Sequence, residues 1–172
     1  MRLRNIATIY VFNGDCILLM YRIGSSLFTE NIWVGIGGHF ESEEMNNPQK
    51  CVLRELQEET GLNSDDIKNI TLKYITTRKT NNEIRQQYIF TADLNKELSL
   101  TDFRSIDDEG TLSWIPLNKL FDRKMAYSNT ECLKHYFRIG KNDDSIYSVA
   151  VGSDENELYA NITALKEYGN DK

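Results

Sequence analysis

Histidine and cysteine are scarce in this chain, and positive charge is outnumbered by negative. Its two histidines, His39 and His135, stand far apart, and its three cysteines, Cys16, Cys51 and Cys132, form no Cys-x-x-Cys pair. That spacing excludes a zinc site and a disulfide framework and points to reduced thiols in a cytoplasmic protein. Lys and Arg number 20 against 26 Asp and Glu, a net charge of −6. The balance excludes general electrostatic capture of a nucleic-acid polymer but leaves room for a local basic pocket that takes a small phosphate ligand. No apolar run is long enough to cross a membrane. The apolar stretch after Arg2 and Arg4 is broken by Asn13-Gly14-Asp15 and lacks a small-residue cleavage site, so it does not read as a signal peptide. Internal repeats, low-complexity tracts and linkers are also missing.

What is present suits a globular protein. The chain has 172 residues, 40% of them hydrophobic and 27% charged, enough for one domain with a substantial core. We read residues 1–172 as that single domain, with 125–172 as a C-terminal extension of it. Ile6 to Phe12 is rich in β-branched and aromatic residues and reads as a strand. Asn13-Gly14 turns it into a second strand, Cys16 to Tyr21. Trp33 to Ile36, Ile70 to Thr77, Arg85 to Leu94, Leu112 to Ile115 and Ser145 to Val151 read as further strands. Helices are expected near Pro48–Thr60 and Asn129–Ile139, with a short one at Leu117–Phe121. A last, amphipathic one is expected at Glu155–Tyr168, where Leu158, Ile162, Leu165 and Tyr168 nearly align. The class is α+β: a mixed sheet flanked by helices in an α/β/α sandwich.

The densest chemical signal is Arg54-Glu55-Leu56-Gln57-Glu58-Glu59-Thr60-Gly61-Leu62. On a helix, Glu55, Glu58 and Glu59 stand at i, i+3 and i+4 and share one face, while Val52, Leu53, Leu56 and Thr60 fall on another. Three carboxylates so close repel one another unless a cation lies among them, and hard divalent ions take oxygen ligands. Arg54 and Glu58 form an i,i+4 pair, so the guanidinium can restrain one carboxylate. Asn47 suits the N-cap, Pro48 the first helical position and Gly61 the left-handed C-terminal position. Taken alone this would be a solvated acidic face. The preceding Gly37-Gly38-His39-Phe40-Glu41-Ser42-Glu43-Glu44 changes that reading, because paired glycines allow a tight backbone path against a ligand.

Together these segments resemble the Nudix box: Gly, five residues, Glu, seven residues, then Arg-Glu-apolar-any-Glu-Glu-any-Gly-apolar. Gly38, Glu44, Arg54, Glu55, Leu56, Glu58, Glu59, Gly61 and Leu62 fill its positions, except that nine residues separate Glu44 from Arg54. Two of Met45-Asn46-Asn47 then form an insertion ahead of the helix. The resemblance implies a Nudix fold and hydrolysis of a diphosphate bridge in a nucleoside diphosphate derivative, with Mg²⁺ or Mn²⁺ as cofactor. It implies Glu55, Glu58 and Glu59 as metal ligands, with the Gly37 carbonyl as a further contact. Arg54 would orient a box glutamate and Glu44 would support that network. Glu109, just ahead of the Leu112–Ile115 strand, is the candidate general base. The expected substrates are nucleoside triphosphates, including oxidised ones such as 8-oxo-dGTP, in the manner of MutT-like members. ADP-ribose, dinucleoside polyphosphates and nucleotide sugars stay open, as does a non-catalytic domain that senses a nucleotide and regulates a partner. The expected partner is a small nucleotide, with no nucleic-acid polymer and no membrane, and the assembly a monomer or homodimer. Arg22 could approach substrate phosphates. Arg78, Lys79 and Arg85, around the Asn81-Asn82 turn, read as exposed hairpin charges.

Overall fold

The computed structural model describes residues 1–22, 31–95, 110–155 and 157–169. Two long strands start the sheet. β1 (Arg2–Asn13) and β2 (Cys16–Arg22) are joined by a two-residue loop in which Gly14 takes φ 55°, the left-handed value a tight hairpin requires. β3 (Ile32–Val34) pairs with the end of β2, and β4 (Ile36–His39) lies antiparallel on β1. Helix α1 (Pro48–Thr60) follows, then a long hairpin of β5 (Ile67–Thr80) and β6 (Glu83–Leu94). Asn81, at φ 51°, makes its turn. β7 (Thr111–Pro116) pairs with β2, and α2 (Tyr127–Arg138) leads to β8 (Tyr147–Asp154) and β9 (Glu157–Ala164). Among the described residues these strands form one mixed sheet in the order β3-β2-β1-β6-β5-β8-β9, with β4 on β1 and β7 on β2. The two parallel pairs are β1–β6 and β5–β8.

Alternation along β1 feeds both faces of this sheet. Ala7, Ile9 and Val11 pack with Cys51, Val52 and Leu56 of α1, all fully buried. Tyr10 and Phe12 pack on the opposite face with Cys132 and Leu133 of α2. The expected α+β sandwich is therefore present, with α1 and α2 on opposite sides.

One expected element is different. The segment read as an amphipathic helix over Glu155–Tyr168 is instead strand β9, paired with β8 from Tyr147↔Ala164 to Asp154↔Glu157. Its apolar residues satisfy two periods at once. Ala160, Ile162 and Ala164 alternate and pack on the α2-side core; Leu158 continues that face to the turn end of the hairpin, where it is exposed. The open edge of β8 decides the matter, because it supplies backbone partners that a short isolated helix lacks. Ile162→Ala should therefore lower stability by about 1–3 kcal/mol, while Leu158→Ser should change it by no more than about 0.5 kcal/mol. Urea unfolding of the two variants checks this, and equal losses would contradict the strand.

Candidate active site

The site grows from the two glycines of β4. Gly38 stands opposite Ala7 and Gly37 opposite Thr8 on β1. Gly37 has φ 149°, and a Cβ there would lie 2.1 Å from the Ala7 carbonyl oxygen. A Cβ on Gly38 would meet the Glu55 carboxylate at 2.4 Å. Residues without side chains at both positions thus let β4 lie close to β1 while α1 brings a carboxylate onto it.

Helix α1 has the caps its sequence suggests. The Asn47 side chain accepts from the Lys50 N–H at 3.0 Å, Pro48 opens the helix, and Gly61 ends it at φ 75° with its N–H donating to Gln57. With Cys51, Val52 and Leu56 buried, the acidic face is left to meet β4 and the loop before the helix.

Arg54 occupies the middle of that face. Its Nε and Nη2 donate to the two carboxylate oxygens of Glu44 at 2.8 and 3.0 Å, a bidentate pair. Nη2 also donates to the His39 carbonyl at 3.0 Å. Nη1 reaches Glu58 at 2.8 Å and Glu55 at 2.9 Å. Glu59 is held separately: Gly37 N–H donates to it at 2.9 Å and Arg22 Nη2 at 3.0 Å. Glu44 and Glu59 are almost wholly buried, at 1% and 4% exposure, whereas the Glu58 side chain is 55% exposed. The insertion ahead of the helix does not keep Glu44 from Arg54. Glu44 closes a turn over Ser42–Glu44, where its carboxylate also accepts from the Glu41 N–H.

These contacts set the charge states. The hydrogen bonds from Arg54 hold the Glu44 carboxyl down at about 2, and the same pair raises the Arg54 guanidinium above its ordinary value. Burial, then the neighbouring Glu44 charge, pushes the Cys51 thiol up to about 12, so it is not a thiolate nucleophile at neutral pH. Burial and the charges of Arg4, Arg85 and Arg2 keep the His39 imidazole below its usual value.

The residues of Glu55, Glu58 and Glu59 offer only hard oxygen ligands, which is the donor chemistry that Mg²⁺ and Mn²⁺ take. Among the described residues, no three acidic, histidine or cysteine side chains are gathered at metal-holding distance. Arg54 and Arg22 hold these carboxylates instead, so a divalent ion at Glu55 and Glu58 would compete with one guanidinium for both.

The family model of the NUDIX domain matches residues 1–136. The chain belongs to the Nudix family. It is a Nudix hydrolase, of the class that hydrolyses diphosphate linkages in nucleoside diphosphate derivatives and in general uses divalent metals. Its fold is similar to that of the MutT protein from Bacillus halodurans, at TM-score 0.66 and 21% identity over 92% of this chain and 97% of that one. It is similar to the MutT NUDIX hydrolase from Burkholderia pseudomallei, at 0.62 and 18% over 78% and 98%. It also resembles the NUDIX domain of Shewanella oneidensis NrtR, solved in complex with ADP ribose, at 0.55 and 16% over 80% and 87%.

Sequence reasoning brought together Gly37, Glu44, Arg54, Glu55, Glu58 and Glu59; in this Nudix domain Arg54 gathers Glu44, Glu55 and Glu58, while Glu59 is held apart from them by Gly37 and Arg22. It missed the pairing of Arg22 with Glu59. The only signal for that pairing was a lone arginine ending an apolar strand, and its partner lies 37 residues away. Glu109 lies outside the described residues.

Glu44 gives a pH test. Its folded value, about 2, is below the ordinary 4.5, so its ionised form contributes stability above pH 4.5 that is lost as pH falls through about 2. Glu44→Gln, which mimics the protonated group, should cost about 3 kcal/mol at pH 7 and almost nothing near pH 2. Urea unfolding of both proteins across that range checks it, and a gap independent of pH would contradict the assignment.

Proposed function

We propose that this Nudix hydrolase is a Mg²⁺- or Mn²⁺-dependent nucleoside triphosphate pyrophosphohydrolase, with oxidised nucleotides such as 8-oxo-dGTP among its candidate substrates. The observation that carries the reading is the Arg54 guanidinium gathering Glu44, Glu55 and Glu58 beside the Gly37–His39 strand. Glu55, Glu58 and Glu59, with Gly37, are the residues that would hold the metal. When bound, the ion supplies charge neutralisation at the diphosphate and acidifies water. The chain's own residues do the positioning. Arg54 restrains Glu55 and Glu58 on one side, Arg22 and the Gly37 N–H restrain Glu59 on the other, and buried Glu44 orients Arg54. Glu109 is assigned as general base from the sequence alone. A cytoplasmic location goes with this reading, since unpaired cysteines suit a reducing compartment.

The second reading is a nucleotide-sensing domain that regulates a partner, and the likeness to an NrtR domain complexed with ADP ribose favours it. Retention of every box glutamate weighs toward catalysis. ADP-ribose, dinucleoside polyphosphates and nucleotide sugars are the alternative substrates for the hydrolase.

Screening purified protein with Mg²⁺ and Mn²⁺ against a panel of these nucleotides, with released phosphate or pyrophosphate as readout, separates the two readings. Hydrolysis of at least one triphosphate is expected, and binding without turnover would favour sensing. Glu58→Gln and Glu59→Gln should each lower kcat by at least about 100-fold; the unfolding midpoint should stay near that of the unmodified chain for the exposed Glu58 and fall for Glu59, which is buried against Arg22. Unaltered turnover in both would sink the mechanism. Glu109→Gln should flatten the acid limb of the pH–rate profile, and an unchanged profile removes Glu109 from the site.

A further inference from the structure

β2 ends on an arginine that faces the carboxylates of α1. Leu18 and Met20 of β2 belong to the core that α1 covers, and alternation puts Arg22 on the same side of the strand. Tyr21 takes the opposite side and packs on Trp33, with ring centroids 5.0 Å apart. Arg22 therefore reaches the α1 side of the sheet at the last turn of the helix, where its Nη2 donates to Glu59 at 3.0 Å.

Two donors grip Glu59, and they differ. The Gly37 N–H donates to Oε2 and the Arg22 guanidinium to Oε1. Gly37 is fixed by its register against Thr8, so its N–H cannot leave without unpairing β4. Arg22 is the last residue of β2, and its side chain keeps 21% of its exposure. Its guanidinium can withdraw into water while its stem stays on the strand. Glu59 cannot follow, since it is 4% exposed. A buried carboxylate needs a counter-charge. Whatever takes Oε1 from Arg22 must therefore bring positive charge with it.

Arg54 stands in a different position. It is bidentate on buried Glu44 and also donates to the His39 carbonyl. A cation that draws Glu55 and Glu58 away from Nη1 leaves that anchor in place. At Glu59 the contest is between the incoming ion and the whole Arg22 contact. A divalent ion carries twice the charge of a guanidinium and takes carboxylate oxygens at shorter range.

We propose that Arg22 is an exchangeable counter-charge for Glu59. Without a divalent ion its guanidinium neutralises the buried carboxylate and holds it against β4, and it leaves Glu59 when the ion binds. The inference rests on the reading of Glu55, Glu58 and Glu59 as metal ligands. Arg22 is a positioning residue for that site, and it lowers metal affinity, because the ion has to displace it. Substitutions around a metal site ordinarily weaken the metal, whereas loss of the Arg22 charge strengthens it.

Mn²⁺ alone, added to the full chain without nucleotide, is the probe in titration calorimetry. Arg22→Gln, which keeps a hydrogen-bond donor and drops the charge, should bind Mn²⁺ at least about threefold more tightly than the unmodified protein. Arg22→Lys, which keeps the charge, should stay within about twofold of it. In EDTA the urea midpoint of Arg22→Gln should lie below that of the unmodified protein, and at saturating Mn²⁺ the two should converge. Nitrogen NMR of the unmodified protein with Mg²⁺ should move the Arg22 side-chain resonances to those of a solvated guanidinium while Arg54 keeps its Glu44-bound signals. Unchanged or weaker Mn²⁺ binding in Arg22→Gln, equal tightening in Arg22→Lys, a midpoint gap that persists at saturating Mn²⁺, or an Arg22 resonance that stays in place overturns the exchange and leaves the metal reading standing. If Arg22→Gln is unfolded in EDTA, Mn²⁺ should refold it, as followed by circular dichroism, and failure to refold also overturns the exchange. Absence of Mn²⁺ binding in all three proteins overturns the metal reading and the exchange with it.

Discussion

The Arg54 guanidinium is the contact on which the acidic group depends. Glu44 is almost wholly removed from water, and a buried carboxylate without a partner costs several kcal/mol. The planar fork of arginine meets both oxygens of Glu44 and still has donors for Glu55, Glu58 and the His39 carbonyl. A lysine offers a point charge with no such geometry. One side chain therefore ties the loop before the helix, the helix itself and the strand β4 into one unit. The same unit opposes the mutual repulsion of the helix carboxylates in the absence of a divalent ion.

That unit can form only because the backbone comes close. β4 sits on β1 through glycines that leave no room for a Cβ, one against the Ala7 carbonyl and one against the Glu55 carboxylate. The hydrophobic side of α1 pulls in the same direction. Cys51, Val52 and Leu56 pack on Ala7, Ile9 and Val11, and burial of each large aliphatic side chain contributes about 1.5–3 kcal/mol. Packing on one face of the helix thus presses the acidic face against β4, and the charge network follows from the core.

The sheet separates two electrostatic environments. α1 brings carboxylates to one side, and Arg4, Arg85 and Arg78, opposite one another on β1, β6 and β5, bring positive charge to the other. A chain with net charge −6 concentrates its guanidinium groups where β1 meets the long hairpin. The imidazole of His39 lies in the field of these arginines, while its carbonyl belongs to the Arg54 network. A divalent ion is drawn to the acidic side.

Local signals determined a good part of this protein. The caps Asn47, Pro48 and Gly61 and the spacing of Glu55, Glu58 and Glu59 specify helix α1 and its acidic face, because both depend on neighbours within a turn or two. The family resemblance followed from the same stretch. Tertiary structure decided what lies beyond that range. Leu158, Ile162 and Leu165 fit a helical period, yet the open edge of β8 made that segment a strand through backbone hydrogen bonds. Arg22 found Glu59 across the fold. Arg4, Arg78 and Arg85 look like scattered surface charges in one dimension, and only the parallel pairing of β1 with β6 sets them in a row. Strand register is a property of pairs of segments, so a sequence read one residue at a time does not contain it.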